Sequence, residues 1–397
     1  MQNPYLAPKR NWGSGRGDIE RDGYHSLRAG YRNGDDFMKK RIPLFPLLVI
    51  LILALSPPFS PTFAANRWAE SKAIVWYQRY PWILGCNFIP STAVNQLEMW
   101  QGETFDPVTI ERELGWAADL GFNTVRVYLH DLPWVTDWDG FRGRINRFLD
   151  IASKQKIMVV FVLLDDCWNT NPTQGSQPAP VPGVHNSRWV QSPGTRVVSD
   201  PDLWLRIERY VKDIIRAFAT DQRVLMWDLY NEPGNTVHGK RALPLLEKVF
   251  EWAREIGPSQ PLTAGVFDGC DGDIEDFIIE NSDILTFHNY EGEEQLVSRI
   301  RDLKKENRPL ICTEWMARTR GSTIETHLPI FKKERVGCLS WGLVSGKTQT
   351  IYPWDSKEGS PAPEVWFQDM LKPDGKPFDP SEIDMIRALT GKKPTAK

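Results

Sequence analysis

No pair among the five cysteines, Cys86, Cys167, Cys270, Cys312 and Cys338, has the spacing of zinc ligands, and their odd number leaves at least one thiol free. Three of them sit in apolar, strand-like runs, where cysteine is ordinarily a small buried hydrophobe. No obligatory disulfide, no metal site and no cofactor are expected. Positive charge is also scarce. The chain carries 48 Lys/Arg against 51 Asp/Glu, and residues 1–41 take nine of the former and five of the latter. This leaves 39 and 46 from residue 66 on, a net of −7. An acidic domain of that kind is not a nucleic-acid binder on electrostatic grounds. Linker-like sequence is missing too: past residue 66 nothing separates a second domain.

Long apolar runs are absent except for one. After Phe37-Met38-Lys-Lys-Arg41 comes an apolar stretch of about 14 residues, then prolines at 57, 58 and 61, then Ala64-Ala65. A basic segment, a short apolar segment and a small-residue cleavage site describe a signal peptide over 38–65. A secreted or periplasmic protein is then expected, starting at Ala65 or Asn66, with no membrane contact after cleavage. The rival reading is an uncleaved signal anchor, against which the prolines argue. Residues 1–37 are polar, rich in Gly, Arg and Asp, and without apolar periodicity. They read as a disordered tail or as sequence ahead of the true start.

What is present is a globular composition, 41% hydrophobic and 25% charged, with 17 tryptophans. Part of that tryptophan serves a core. Flat indole rings also suit the C–H faces of sugars. The most informative stretch is Trp227-Asp-Leu-Tyr-Asn-Glu-Pro-Gly-Asn235. An apolar strand stops abruptly at Asn231-Glu232-Pro233-Gly234, because proline gives no ladder N–H and glycine weakens a strand. A polar Asn and an acidic Glu therefore stand at the carboxyl end of a buried strand, the rim where α/β barrels do chemistry. A second apolar strand, Pro309-Leu-Ile-Cys-Thr-Glu314-Trp315, also ends in a Glu. The interval of 82 residues is about three βα units at roughly 25–30 residues each. Two carboxylates on one rim meet the need of glycoside hydrolysis, one to protonate the leaving oxygen and one to attack or to activate water.

Between these points strands and helices alternate. Strands are expected at 82–88, 124–130, 157–164, 223–231, 262–267, 284–290, 309–314 and 337–343. Helices are expected near 107–120, 141–154, 200–219, 241–255, 273–281, 293–306, 322–334, 363–371 and 380–389. The count predicts a single (β/α)8 TIM barrel over 66–397. The run 157–164 is apolar throughout, as suits a strand covered on both faces. Residues 167–200 form a long Pro/Gly/Asn/Ser-rich loop, expected to border the cleft and to affect KM more than stability if shortened. Gly269-Cys-Asp-Gly-Asp273 lacks calcium-loop spacing and reads as a turn with a helix cap.

With that order of residues the chain resembles the clan A glycoside hydrolases, most closely family 5, the cellulase–mannanase family. The resemblance covers about residues 80–345. It rests on Arg126 in the second strand, Asn231-Glu232-Pro233 in the fourth, His288-Asn-Tyr290 at the sixth, Glu314 at the seventh and Trp341 at the eighth. It implies a retaining hydrolase with Glu314 as nucleophile and Glu232 as acid/base. Asn231 would hold the hydroxyl beside the anomeric carbon, Tyr290 would orient Glu314, and His288 would bond Glu232 or a sugar hydroxyl. Trp341 would be a stacking platform. Arg126 is expected to keep Glu314 ionised, or else only to pair with Asp228. Burial and the Glu314 charge are expected to raise the pKa of Glu232. Where the family usually has a His at the end of the third strand, this chain has Asp165-Asp166, which leaves the substrate group open. Asp165 and Trp168 join the expected substrate contacts, and Trp189 and Trp315 are further tryptophans that suit sugars. The implied partner is a β-linked glucan or mannan, cut inside the chain by a monomeric enzyme. The alternatives are a carbohydrate-binding barrel without catalysis and a membrane-anchored assembly protein.

Overall fold

The computed structural model describes residues 67–392. The signal-peptide and tail assignments for residues 1–65 lie outside these. The first helix, α1 (Glu70–Gln78), precedes the barrel proper. Strand β1 (Leu84–Asn87) is followed by α2 (Gln96–Trp100) and α3 (Pro107–Leu120). Then come β2 (Thr124–Tyr128), α4 (Asp131–Thr136), α5 (Trp138–Lys154) and β3 (Met158–Asp165). After a long loop ending in α6 (Thr195–Val198) come α7 (Trp204–Phe218), β4 (Val224–Asn231), α8 (Leu243–Ile256), β5 (Leu262–Thr263) and β6 (Gly265–Val266). The chain continues with α9 (Gly272–Asn281), β7 (Leu285–Asn289), α10 (Glu293–Leu303), β8 (Leu310–Trp315), α11 (Ile324–Glu334), β9 (Gly337–Trp341) and α12 (Pro380–Thr390).

All strand pairs are parallel, in the order β5-β4-β3-β2-β1-β9-β8-β7-β6. Only Ala264 separates β5 from β6, so these two short pieces are the fifth strand of an eight-stranded barrel. At the break the Ala264 carbonyl accepts the Thr286 hydroxyl at 3.1 Å.

The core has an outer and an inner part. Outside the strands, residues such as Val125, Val127, Phe161 and Trp227 pack under the helices. Inside, Ile83, Val160, Met226, Ile311 and Leu339 fill the lower barrel, and Trp68, Ala73 and Trp76 at α1 close its floor. The opening above is left to polar groups.

Capping explains most helix ends. Asp106 accepts from Thr109 N and Pro107 opens α3, while Gly121 at φ 95° ends it. Asp271 accepts from Asp273 N and caps α9, so the 269–273 turn is a helix cap as expected. One expected helix is absent. Residues 363–371 form bends and no helix, because their amides bond the preceding loop: Phe367 N to Ile351 O, Gln368 N to Thr350 O and Met370 N to Leu343 O. Their carbonyls at 366, 368 and 369 are taken by the Arg318 guanidinium. All five cysteines carry free thiols. Among the described residues no helix is long and apolar enough to cross a membrane.

Candidate active site

Strand alternation on β2 turns Thr124, Arg126 and Tyr128 to the inside of the barrel. Arg126 is fully buried and is the hub of the polar layer. Its Nε donates to Asp228 Oδ2 at 2.9 Å, Nη1 to Asn87 Oδ1 at 2.9 Å and to Glu314 Oε1 at 2.7 Å, and Nη2 to Asn231 Oδ1 at 2.6 Å. Arg126 therefore does not only pair with Asp228: it also binds Glu314. The Tyr128 hydroxyl also donates to Glu314 Oε1, at 2.6 Å, and the Tyr290 hydroxyl to Oε2, at 2.8 Å. Burial pushes the Tyr128 phenol far above its ordinary pKa, which keeps it a donor.

Two irregularities in the ladder aim the acidic groups inward. On β8 the pairing shifts between Phe287/Cys312 and His288/Glu314, leaving Thr313 as an extra residue. Cys312 packs outside the barrel, so strict alternation would send Glu314 outward as well; the bulge returns it to the interior. On β4 the register shifts past Leu225, and Leu225 and Met226 both face inward. Asp228 then meets Arg126.

Glu232 follows β4 directly, in the left-handed region at φ 43°, a conformation that costs a non-glycine residue about 1–2 kcal/mol. Its Oε1 lies 2.7 Å from His288 Nδ1, and its Oε2 accepts from the Cys167 thiol at 3.2 Å and from the Asn235 amide. The His288 ring fits because Gly265 has no side chain; a Cβ there would stand 2.8 Å from Nε2. Burial raises the Glu232 pKa, but the hydrogen bond and charge of His288, with the bonds from Cys167 and Asn235, outweigh it and hold the group below the ordinary carboxylate value. This reverses the expected direction. One oxygen each of Glu232 and Glu314 and one nitrogen of His288 lie within 4.8 Å of one another. The same three donors would suit a divalent cation, but a guanidinium already neutralises Glu314 and repels a second positive charge.

Asp165 does not reach the substrate space as expected. It is 1% exposed, and both oxygens are occupied below the cleft. Oδ1 accepts from Asn231 Nδ2 and Cys167 N, and Oδ2 from Trp189 Nε1 at 2.7 Å and Gln96 Nε2. It fixes the positions of Asn231 and Trp189. Arg126 and His288 likewise support the two glutamates from behind. Burial raises the pKa of Asp165 to about 7 and that of its neighbour Asp166 to about 8. An acid whose folded pKa is raised stabilises the fold fully below its unfolded pKa, and that contribution is lost as pH rises through the folded one. The part of the stability that these two acids contribute should therefore fall as pH rises from about 4 toward 8, against an opposite trend below about 6.5 from His185, His238 and His327, whose pKa values burial lowers to about 4. Asp166→Asn should flatten that fall while keeping an oxygen for only one of its two donors, Tyr230 Oη and Gly234 N. Parallel melting curves for the two proteins across this range would refute the assignment.

The cavity above Glu314, about 300 Å3, is lined by residues of β4, β8 and β9 and of the loops after β3, β7 and β9, among them Cys167, Trp168, Trp189, Asn231, Tyr290 and Trp341. Of the expected contacts, Trp168, Asn231, Tyr290, Glu314 and Trp341 face it. Trp168 stacks on His185 with centroids 5.5 Å apart. Trp315 is elsewhere: it is buried outside the barrel and stacked on His327. Sequence reasoning missed Tyr128, Asn87, Asn235, His185 and Trp354, and gave Cys167 no role at the site. Tyr128 was findable, being two residues beyond Arg126 on the same face.

The long loop does border the cleft, but it is not a loose flap. Asn186 N bonds Thr348 O, Gly359 N bonds Pro182 O, His185 Nδ1 donates to Tyr352 O at 2.7 Å, and Gly183 N donates to Gln349 Oε1. Together these clasp the segment after β3 to the segment after β9. Shortening the loop should therefore alter KM and also lower stability.

Fold and site together define a (β/α)8 barrel with paired carboxylates at the carboxyl rim. No family model and no curated protein matches the chain. Solved structures do resemble it. A GH5_18 variant from Streptomyces cattleya, in complex with Manβ1-4GlcNAc, superposes with TM-score 0.55 at 15% identity, over 79% of this chain and 81% of that one. The endo-β-1,4-mannanase of Thermotoga petrophila gives 0.53 at 14%, over 78% and 76%. The exo-β-1,4-mannosidase of an Opitutaceae bacterium gives 0.52 at 18%, over 78% and 59%. At such identities the likeness speaks for the barrel fold.

Proposed function

We propose that this chain is a retaining β-glycoside hydrolase acting on a glucan- or mannan-type substrate by double displacement. The observation that carries this is the approach of Glu232 and Glu314 to within 4.8 Å, oxygen to oxygen, on one rim. It suits the roughly 5–5.5 Å between carboxyl groups of retaining enzymes and not the roughly 6.5–9.5 Å that leaves room for water in inverting ones. Glu314 Oε1 is held by two donors, Arg126 and Tyr128, and Oε2 by Tyr290 alone, so Oε2 is the oxygen to attack the anomeric carbon. Glu232 gives the leaving oxygen the proton it shares with His288, then removes one from the incoming water. Asn231 Nδ2 is committed to Asp165, which sets the amide for the sugar hydroxyl beside the reacting carbon.

The mannose-containing ligand and substrates named for the similar structures favour a mannan-type substrate over a glucan. Export rests on residues 38–65 alone, and the N-terminal sequence of the mature protein tests it. The function is tested on aryl β-glucosides and β-mannosides with short oligosaccharides, following the anomer first released by NMR. Turnover with retention is expected. Inversion would remove the double displacement, and absence of turnover across the panel would favour a binding barrel.

A further inference from the structure

Trp189 and Trp341 divide the mouth of the barrel. Both line the cavity above Glu314, and both also line a second cavity of about 320 Å3 that holds Asn87, Phe88 and Tyr128 on its other walls. The two indoles meet edge to face with centroids 5.6 Å apart, and each meets the Tyr128 ring in the same way, at 5.1 Å for Trp189 and 5.7 Å for Trp341. Trp189 is 3% exposed and its Nε1 is tied to Asp165 Oδ2 at 2.7 Å. The clasp between the segments after β3 and β9 holds this wall from above. The partition is therefore a packed, hydrogen-bonded part of the fold.

Its side of the site is fixed by the strand order. Around the barrel, Glu232 and His288 stand at β4 and β7, Glu314 at β8, and Trp341, Tyr128 and the Trp189 loop at β9, β2 and β3. If Glu232 protonates the leaving oxygen, the leaving group lies on the β4–β7 side. The sugar that is transferred lies over Glu314 toward Trp341. The wall stands immediately beyond that sugar.

We infer that the site is a blind pocket for one terminal sugar, so that the protein removes single residues from the non-reducing end and does not cut inside a chain. This rests on the hydrolase reading and replaces the expectation of internal cleavage. It also gives Asp165 a purpose: an acid at the end of the third strand pins the indole that closes the pocket.

The test uses β-1,4-mannotetraose and β-1,4-glucotetraose labelled at the reducing end. The labelled trisaccharide should be the first product, exceeding the labelled disaccharide by more than about tenfold, a barrier difference of roughly 1.4 kcal/mol. A labelled disaccharide or monosaccharide as first product would overturn the proposal. Trp189→Ala, which joins the two cavities, should lower that ratio toward unity. An unchanged ratio in a folded Trp189→Ala protein would show that the wall is not what sets the cut, and would also overturn it. Turnover of neither tetraose nor aryl glycosides would sink the hydrolase reading, and end-on action with it.

Discussion

Glu314→Ala loses turnover on every substrate, by a factor on the order of 10⁵–10⁶ in kcat, the scale on which removing a covalent nucleophile acts. No neighbour can replace it: among the groups touching Glu314, Arg126, Tyr128 and Tyr290 act as hydrogen-bond donors, and His288 Nδ1 is committed to Glu232. Azide, small enough for the vacated space, should restore turnover and give a glycosyl azide of inverted configuration. Glu232→Ala should behave differently. A sugar leaving group needs the proton, so a loss of about 10²–10⁴ is expected there. A dinitrophenolate needs none, so the first step survives and the glycosyl-enzyme accumulates. Azide then gives a product of retained configuration. NMR of the two azide products checks both roles at once; exchanged configurations would swap the assignments.

The barrel was legible because its evidence is periodic. Continuous apolar strands alternated with capped helices, and Asp106-Pro107 to Gly121 marked α3 to the residue. The glutamates were legible because each follows an apolar strand. What the sequence hid arises from departures from periodicity and from contacts between distant segments. The bulge at Thr313 turns Glu314 inward, and nothing in Leu310–Trp315 distinguishes it from a regular strand. The helix expected at 363–371 has helix-compatible residues, but Arg318, some 50 residues earlier, takes its carbonyls. The role of Asp165 needed Trp189, which lies across the long loop. The direction of the Glu232 pKa was missed because burial and the Glu314 charge were weighed while the imidazole 2.7 Å away was not.

Arg126→Ala should cost about 3–5 kcal/mol of stability, since it leaves a buried carboxylate without its partner. Asp228 is fully buried, and Arg126 Nη2 lies 2.8 Å from its Oδ2. Asn87 and Asn231 lose a donor as well. The melting temperature should fall by about 10 °C. Activity should fall too, because Glu314 Oε1 would keep only Tyr128. The double variant Arg126→Ala/Asp228→Ala separates the two effects. Removing the stranded carboxylate should recover much of the melting temperature, since a buried pair replaced as a whole costs far less than one broken in half. It cannot restore the guanidinium at Glu314, so kcat should remain as low as in the single variant. If stability and kcat recovered together, Arg126 would act on Glu314 only by keeping the barrel folded. If the single variant melted like the wild type, the polar layer would not be the charge-paired network that these contacts describe.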